Sequence, residues 1–245
     1  LRAASTPSPA EVGVMAILAL SFDLDDTLWD TGPCIDRAEE RLHAWLQPRY
    51  PRIVERYSPR QLRALCEEAA RLDPSIAHDR GLMRKRALTM AAAAADYAQF
   101  ALDEAFEVFF AARNEVLFFD DTLPVLERLH RRYRFAALSN GNADLKRIGI
   151  AHLFDLHLSA VDVGMLKPHP AMFELAAQRL ELSPGQILHV GDEPDHDVRG
   201  AAAAGFRTVW VNRSGRPWPG AAPADAEIAD LNELEALLLD ERFAR

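Results

Sequence analysis

The sequence predicts an α/β protein: a mostly parallel sheet flanked by helices, with an all-helical domain inserted behind the first strand. Three observations carry this. Short apolar runs alternate with amphipathic stretches of helical length, the pattern of βαβ units. Residues 31–118 break that alternation and hold helical patterns alone. Clusters of polar residues, two of them rich in Asp, follow the apolar runs. The 245 residues, 49% hydrophobic and 27% charged, suffice for one large domain or two smaller ones with a real core.

Residues 1–14 begin with a stretch rich in Ala, Ser and Pro and read as a poorly ordered tail. The apolar run Val12–Phe22 is too short to span a bilayer as a helix. It runs straight into Asp23-Leu24-Asp25-Asp26-Thr27 and reads as a buried first strand over Ala16–Phe22. Helical patterns follow at Pro33–Leu46, Pro59–Leu72, Asp79–Ala94 and Leu102–Phe118. Four helices without an intervening strand predict that 31–118 forms a smaller domain, with 15–30 and 119–245 making the sheet domain.

Asp121, ahead of Thr122 and Pro124, opens a helix over Thr122–Arg132. Strands are then expected at Phe135–Leu138, Leu156–Leu158, Ile187–Val190, Thr208–Val211 and Glu227–Ala229. The helices between and after them are expected at Ala143–Ile148, Pro170–Leu180, Asp195–Ala204 and Leu231–Leu239. Ser183-Pro184 and Gly205 punctuate two of the junctions.

With 28 basic and 37 acidic side chains the formal charge is −9, which argues against nucleic-acid or membrane-surface binding, since both rely on basic patches. Cys34 and Cys66 are the two cysteines and form no C-x-x-C motif, so a reduced, cytoplasmic setting is expected.

Four clusters lie at the carboxyl ends of expected strands, where open parallel sheets bind ligands. In Asp23-Leu24-Asp25, residues two apart at a strand end point to one side, so two carboxylates share a crevice. Their mutual repulsion calls for a cation or a shared proton. Ser139-Asn140-Gly141 offers neutral donors to an oxyanion, and Lys167-Pro168 a cation. In Gly191-Asp192-Glu193-Pro194-Asp195-His196-Asp197 some acids suit a helix start, while Asp192, tight behind Gly191, belongs in the crevice. Such hard oxygen donors suit Mg²⁺. His169 and His196 fit no zinc spacing and read as bystanders.

In this order, FDLDDTLWD (22–30), SNG (139–141), GMLKPHPAMF (164–173) and HVGDEPDHDVRGAAAAG (189–205) resemble the haloacid dehalogenase-like superfamily. The resemblance implies a Rossmann-like core with a helical cap inserted after the first strand. It implies Asp23 as a nucleophile forming an aspartyl-phosphate and Asp25 as general acid/base. Ser139, Asn140 and Lys167 would bind the phosphoryl group. Mg²⁺ would be held by Asp23, Asp192 and the backbone carbonyl of Asp25, with Asp197 supporting. The implied function is Mg²⁺-dependent hydrolysis of a small phosphorylated metabolite. The dehalogenase branch lacks the acid two residues after the nucleophile and needs no Mg²⁺, so Asp25 speaks against it. A sugar phosphomutase shares the same core residues, and a non-catalytic phospho-ligand binder is the least economical reading.

Residues 22–35, 73–88, 139–143 and 187–192 further resemble bacterial phosphatases of FMN and of the phosphorylated ribityl-aminouracil precursor of riboflavin. In the expected cap, His78, Asp79, Arg84 and Arg86 are the candidate specificity residues. Trp29 either borders a planar substrate or packs against the cap.

Overall fold

A computed structural model of the chain describes residues 16–220 and 222–243. The expectation of a poorly ordered tail over 1–14 lies outside the described residues. Six strands, β1 (Ala19–Phe22), β2 (Arg134–Ser139), β3 (Leu156–Ser159), β4 (Ile187–Gly191), β5 (Arg207–Val211) and β6 (Ala226–Ile228), form one parallel sheet. Their order is β3-β2-β1-β4-β5-β6. The chain builds outward from β1 on one side and then returns to pair β4 with its other side. That reversal opens a crevice at the carboxyl ends of β1 and β4, the place where such sheets bind ligands.

β1 is apolar except for Ser21, because both its faces are covered, and Ser21 meets His189 of β4 at 2.9 Å. Leu20 and Phe22 join one core cluster with Phe135, Leu188 and Val209. Ala19 faces the opposite cluster with Leu138, Met172, Phe173 and Ile187. Alternate residues of each strand thus point to opposite layers.

Five helices occupy the stretch 31–118: α1 (Thr31–Leu46), α2 (Pro51–Arg56), α3 (Pro59–Leu72), α4 (Arg80–Ala94) and α5 (Leu102–Arg113). They enclose a cluster of their own that includes Leu42, Leu46, Leu62, Leu88 and Phe109. Asp30 caps α1 through Gly32 N, and Ser58 and Gln61 form a reciprocal capping box on α3. α2 was not expected, because six residues between Tyr50 and Tyr57 are too few to display a helical period.

α5 ends at Arg113, not at Phe118 as the sequence pattern suggested. Asn114 turns its Nδ2 back onto Phe110 O, and Phe118 then bridges to Trp29 in the sheet domain's first loop. Val116 and Phe118 continue the pattern but pack on the core, while Leu117 between them is exposed. α6 (Thr122–Leu129) follows. Three later helices are also shorter than their patterns. Ala143–Ile148 reduces to Leu145–Ile148, and Leu231–Leu239 to Asn232–Leu237. The stretch Asp195–Ala204 opens as a π-helical turn over Pro194–Arg199. Among the described residues no helix is long and apolar enough to cross a membrane.

Candidate active site

The turn behind β1 places Asp23 and Asp25. Asp26 adopts the left-handed region, with φ 63°, a conformation that Asp tolerates better than most side chains. Its backbone N donates to Trp29 O, and its carboxylate accepts from Thr31 N, which closes the turn onto the start of α1. Asp23 N donates to Val190 O, so the nucleophile candidate is tied to β4.

Lys167 is the hub of this crevice. Its side chain is buried, and Nζ donates to Asp23 Oδ1 at 2.6 Å, Asp197 Oδ1 at 2.6 Å and Leu138 O at 2.7 Å. All three ammonium hydrogens are therefore used. Burial pulls the Lys167 ammonium down, but Asp197 and Asp23 outweigh it and raise it above the ordinary lysine value.

Among the described residues, Asp23, Asp192 and Asp197 gather carboxylate oxygens within 4.8 Å of one another. Burial pushes the Asp23 carboxyl well above its usual range, and Asp197 and Asp192 add to that. Asp192 is pushed up to about 7, first by burial and then by Asp197 and Asp26. Burial also acts to raise Asp197, but Lys167 and His189 prevail and hold it below the carboxylate range. Three carboxylates against one ammonium leave an excess of negative charge in a buried space. Hard oxygen donors in such excess fit a small divalent cation.

Asp197 reaches this position because Gly191 has no side chain. A Cβ there would lie 2.4 Å from Asp197 Cγ. The π-helical turn, with Asp197 N bonded to Glu193 O, then aims the carboxylate inward, and Asp197 Oδ2 accepts from Glu193 N at 3.0 Å. From beneath, His189 Nε2 lies 3.4 Å from Asp197 Oδ1, and His189 Nδ1 lies 2.9 Å from Ser21 Oγ. Burial holds the His189 imidazole below its usual value, hence neutral. Thr27 Oγ1 donates to Asp192 Oδ1 at 3.1 Å.

The Asp25 carboxylate lies outside the cation group, so any contribution to a metal would come from its backbone carbonyl. Oδ1 accepts from Trp29 Nε1 at 2.9 Å, Thr31 Oγ1 at 3.1 Å and Arg113 Nη2 at 2.9 Å. Oδ2 lies 2.8 Å from that same Nη2. Trp29 is fully buried, so it neither borders a substrate nor merely packs: it orients Asp25.

Ser139 Oγ accepts from Gly141 N at 2.9 Å and lines the crevice. Asn140 lines it too, but its amide spans the Lys167 backbone, with Nδ2 on Lys167 O at 3.0 Å and Oδ1 on Lys167 N at 2.7 Å. A Cβ on Gly141 would sit 2.5 Å from Asp25 Oδ2. Gly141→Ala should therefore lower kcat about 100-fold while Tm moves little, as expected for about 1 Å of misplacement of the candidate acid/base Asp25. Parallel turnover and thermal-melt measurements check this.

Two cavities meet at Asp25, Arg80 and Gly141. The first, about 320 Å³, holds the carboxylates, Lys167 and the exposed His196, which the sequence spacing left as a bystander. The second, about 300 Å³, runs between the inserted helices and is lined by Ile35, Arg63, Glu67, Met83 and Phe109 among others. Of the four residues singled out in this region, Arg84 lines it. Its guanidinium is spent on a buried pair with Glu39 and stacks 4.1 Å above the Phe109 ring. Asp79 caps α4 through Leu82 N, and Arg86 is exposed. Neither these two nor the half-buried His78 lines either cavity. Arg80, Arg63 and Arg113 were not singled out, since an Arg on a patterned helix carries no motif. Cys66 also lines the second cavity, and burial pushes its thiol up to about 11, so it is a neutral wall.

The parallel sheet carries an acidic crevice at its topological reversal, with a buried ammonium on the leading carboxylate and a second carboxylate two residues on. Residues 17–205 match the family model of haloacid dehalogenase-like hydrolases. The 5-amino-6-(5-phospho-D-ribitylamino)uracil phosphatase YigB of Escherichia coli is 30% identical over 230 residues, 91% of this chain and 96% of that protein. A 2-haloacid dehalogenase structure from Pseudomonas syringae is similar at 38% identity and TM-score 0.85, covering 91% of this chain and 98% of that one. A HAD phosphatase structure from Thermococcus onnurineus is 28% identical at TM-score 0.64, covering 92% of this chain and 100% of that one. The chain belongs to the haloacid dehalogenase-like hydrolase family.

Proposed function

We propose that the chain is a phosphatase that hydrolyses a small phosphorylated metabolite through an aspartyl-phosphate on Asp23. The observation that carries this is the pair of carboxylates, Asp23 held by Lys167 and Asp25 held by Arg113, facing one crevice. A phosphate ester is anionic, so a carboxylate nucleophile needs cationic partners to approach it. Asp23 attacks phosphorus, the bond to the leaving oxygen breaks, and that oxygen takes a proton from Asp25. Water then attacks the acyl phosphate, Asp25 takes its proton, and Asp23 is released with inorganic phosphate. Ser139 binds the transferring group, Lys167 supplies positive charge beside it through Asp23, and Asn140 fixes the loop that carries Lys167.

Asp23, Asp192 and Asp197 would hold Mg²⁺, with the backbone carbonyl of Asp25. Bound there, it supplies charge to offset the phosphoryl oxygens. The helical stretch 31–118 serves as a cap over the site, and the cavity between its helices receives the leaving group. Arg80, shared by both cavities, stands at the junction of phosphate and leaving group. The likeness to YigB supports 5-amino-6-(5-phospho-D-ribitylamino)uracil as substrate, and the sequence resemblance adds FMN as a candidate.

The test is a phosphate-release screen across FMN, that precursor, nucleotides and sugar phosphates, compared by kcat/KM, with and without chelator. Chelation should remove nearly all activity, and full turnover in chelator would overturn the metal assignment. The likeness to the Pseudomonas dehalogenase favours 2-haloacid hydrolysis as a second reading. Halide release from 2-haloacids should be absent, and clear release would replace the phosphatase reading. Hexose 1-phosphates should yield free phosphate and no hexose 6-phosphate.

A further inference from the structure

Asp25 is held by a residue 88 positions away, at the point where the inserted helices return to the sheet. Arg113 is the last residue of α5 and is 1% exposed. Its Nη2 spans both Asp25 oxygens, at 2.9 and 2.8 Å, and its Nε donates to Asn142 Oδ1 at 3.1 Å. The adjacent Asn114 Oδ1 accepts from Asp144 N at 2.8 Å. The end of α5 is thus stapled at once to the loop behind β1 and to the loop behind β2.

The two Asp25 oxygens are not equivalent. Oδ1 takes donors from Trp29, Thr31 and Arg113, which fills its accepting capacity. Among the described residues Oδ2 takes a donor from Arg113 alone, and it points toward Gly141 in the crevice. A carboxylate rotor has a broad, nearly two-fold torsional preference and does not fix itself. Charge-assisted bonds from a planar, buried guanidinium do fix it.

We infer that Arg113 is a positioning residue for proton transfer: it locks Asp25 so that Oδ2 meets the leaving oxygen, and it makes that geometry depend on the inserted helices. The inference rests on the reading of Asp25 as the proton carrier. When the bond from phosphorus to the leaving oxygen breaks, the electron pair stays on that oxygen, and the proton on Oδ2 passes to it. A 4-nitrophenolate leaves without that proton, whereas an alkoxide does not. Loss of position therefore shows in the leaving-group dependence, which a general loss of structure would not change.

The experiment compares kcat/KM for 4-nitrophenyl phosphate and for an alkyl phosphate, because that constant reports the step in which the leaving group departs. Arg113→Met should lower the alkyl value about 100-fold, and the aryl value by less than about tenfold. Arg113→Lys should recover part of the alkyl loss. Asn142→Ala, on a half-buried loop and without a buried charge to disturb, should show the same selectivity at smaller size and decides the matter if Arg113→Met does not fold. Equal losses on both esters in Arg113→Met and Asn142→Ala, with a steep alkyl loss in Asp25→Asn, would overturn the role of Arg113 and leave that of Asp25. No extra alkyl loss in Asp25→Asn would overturn both.

Discussion

Replacing Asp23 by asparagine abolishes turnover and raises, rather than lowers, the melting temperature of the metal-free protein. The loss of activity should be on the order of 10⁵-fold, the scale set by removing a residue that acts as a covalent nucleophile. The gain in stability has a different cause. Asp23 is buried beside Asp192 and Asp197, and their three carboxylates face the single ammonium of Lys167. Burial pushes its carboxyl well above the ordinary value, so its ionisation opposes folding near neutral pH. An isosteric amide removes that opposition. The gap between the two proteins should therefore widen as pH rises above the ordinary carboxylate range and close as pH falls back to it. Each kcal/mol corresponds to about 2–4 °C for a chain of this size. Melts of both proteins in chelator at several pH values, with phosphate release measured alongside, check this. A lower Tm for Asp23→Asn would contradict the argument.

Lys167→Met has the opposite signature: activity and stability fall together. The ammonium is the shared partner of Asp23 and Asp197 and also satisfies Leu138 O. Removing one partner from buried charges costs about 3–5 kcal/mol, because the charges left behind remain desolvated. Loss of a preorganised cation at the transferring group lowers kcat by a further factor of about 10² to 10³. Denaturant unfolding and kcat of the same preparation measure both. A protein as stable as wild type would mean that the lysine is not the counter-charge of the site.

The legibility of these features in the sequence differs by their physics. The strands were readable because a strand covered on both faces is mostly apolar, as at Leu20, Phe22, Leu138 and Val190, with Ser21 and His189 bonded to each other as exceptions. The candidate site residues were readable because Asp23 and Asp192 stand immediately behind such strands, Ser139 ends one, and Lys167 lies on the loop beyond another, so that one topological rule collects them. The partners of Asp25 were not readable in this way. Arg113 lies on a helix where an arginine ordinarily faces solvent, and its burial depends on how the end of α5 meets the loop 140–144. Trp29 looked like a packing or substrate-facing ring, whereas its indole N–H is what the fold uses. The helices inserted between β1 and β2 misled at the level of residues: Asp79 and Arg84 carry charges that serve a helix cap and an internal ion pair. Charge in a sequence does not say whether it is spent on the fold or kept for a ligand.

The position of β1 at the centre of the sheet also sets a schedule. Its two neighbours, β2 and β4, enter register at Ala19 through Arg134 and Ile187, so the second contact closes 168 residues of chain. Contacts this distant in sequence form slowly relative to local ones, because the entropy of closing the loop comes due before the pairing rewards it. The helices between β1 and β2, with mostly local contacts, should be protected first in pulsed hydrogen exchange, and β1 with β4 last. Asp192 and Asp197 follow β4 in the chain, so they meet Asp23 only when that final pairing closes. Until then the acidic residues stay apart in water, where their repulsion is weak. The electrostatic conflict that equips the crevice for chemistry is thus deferred to the last step of assembly, after the surrounding core can bear it.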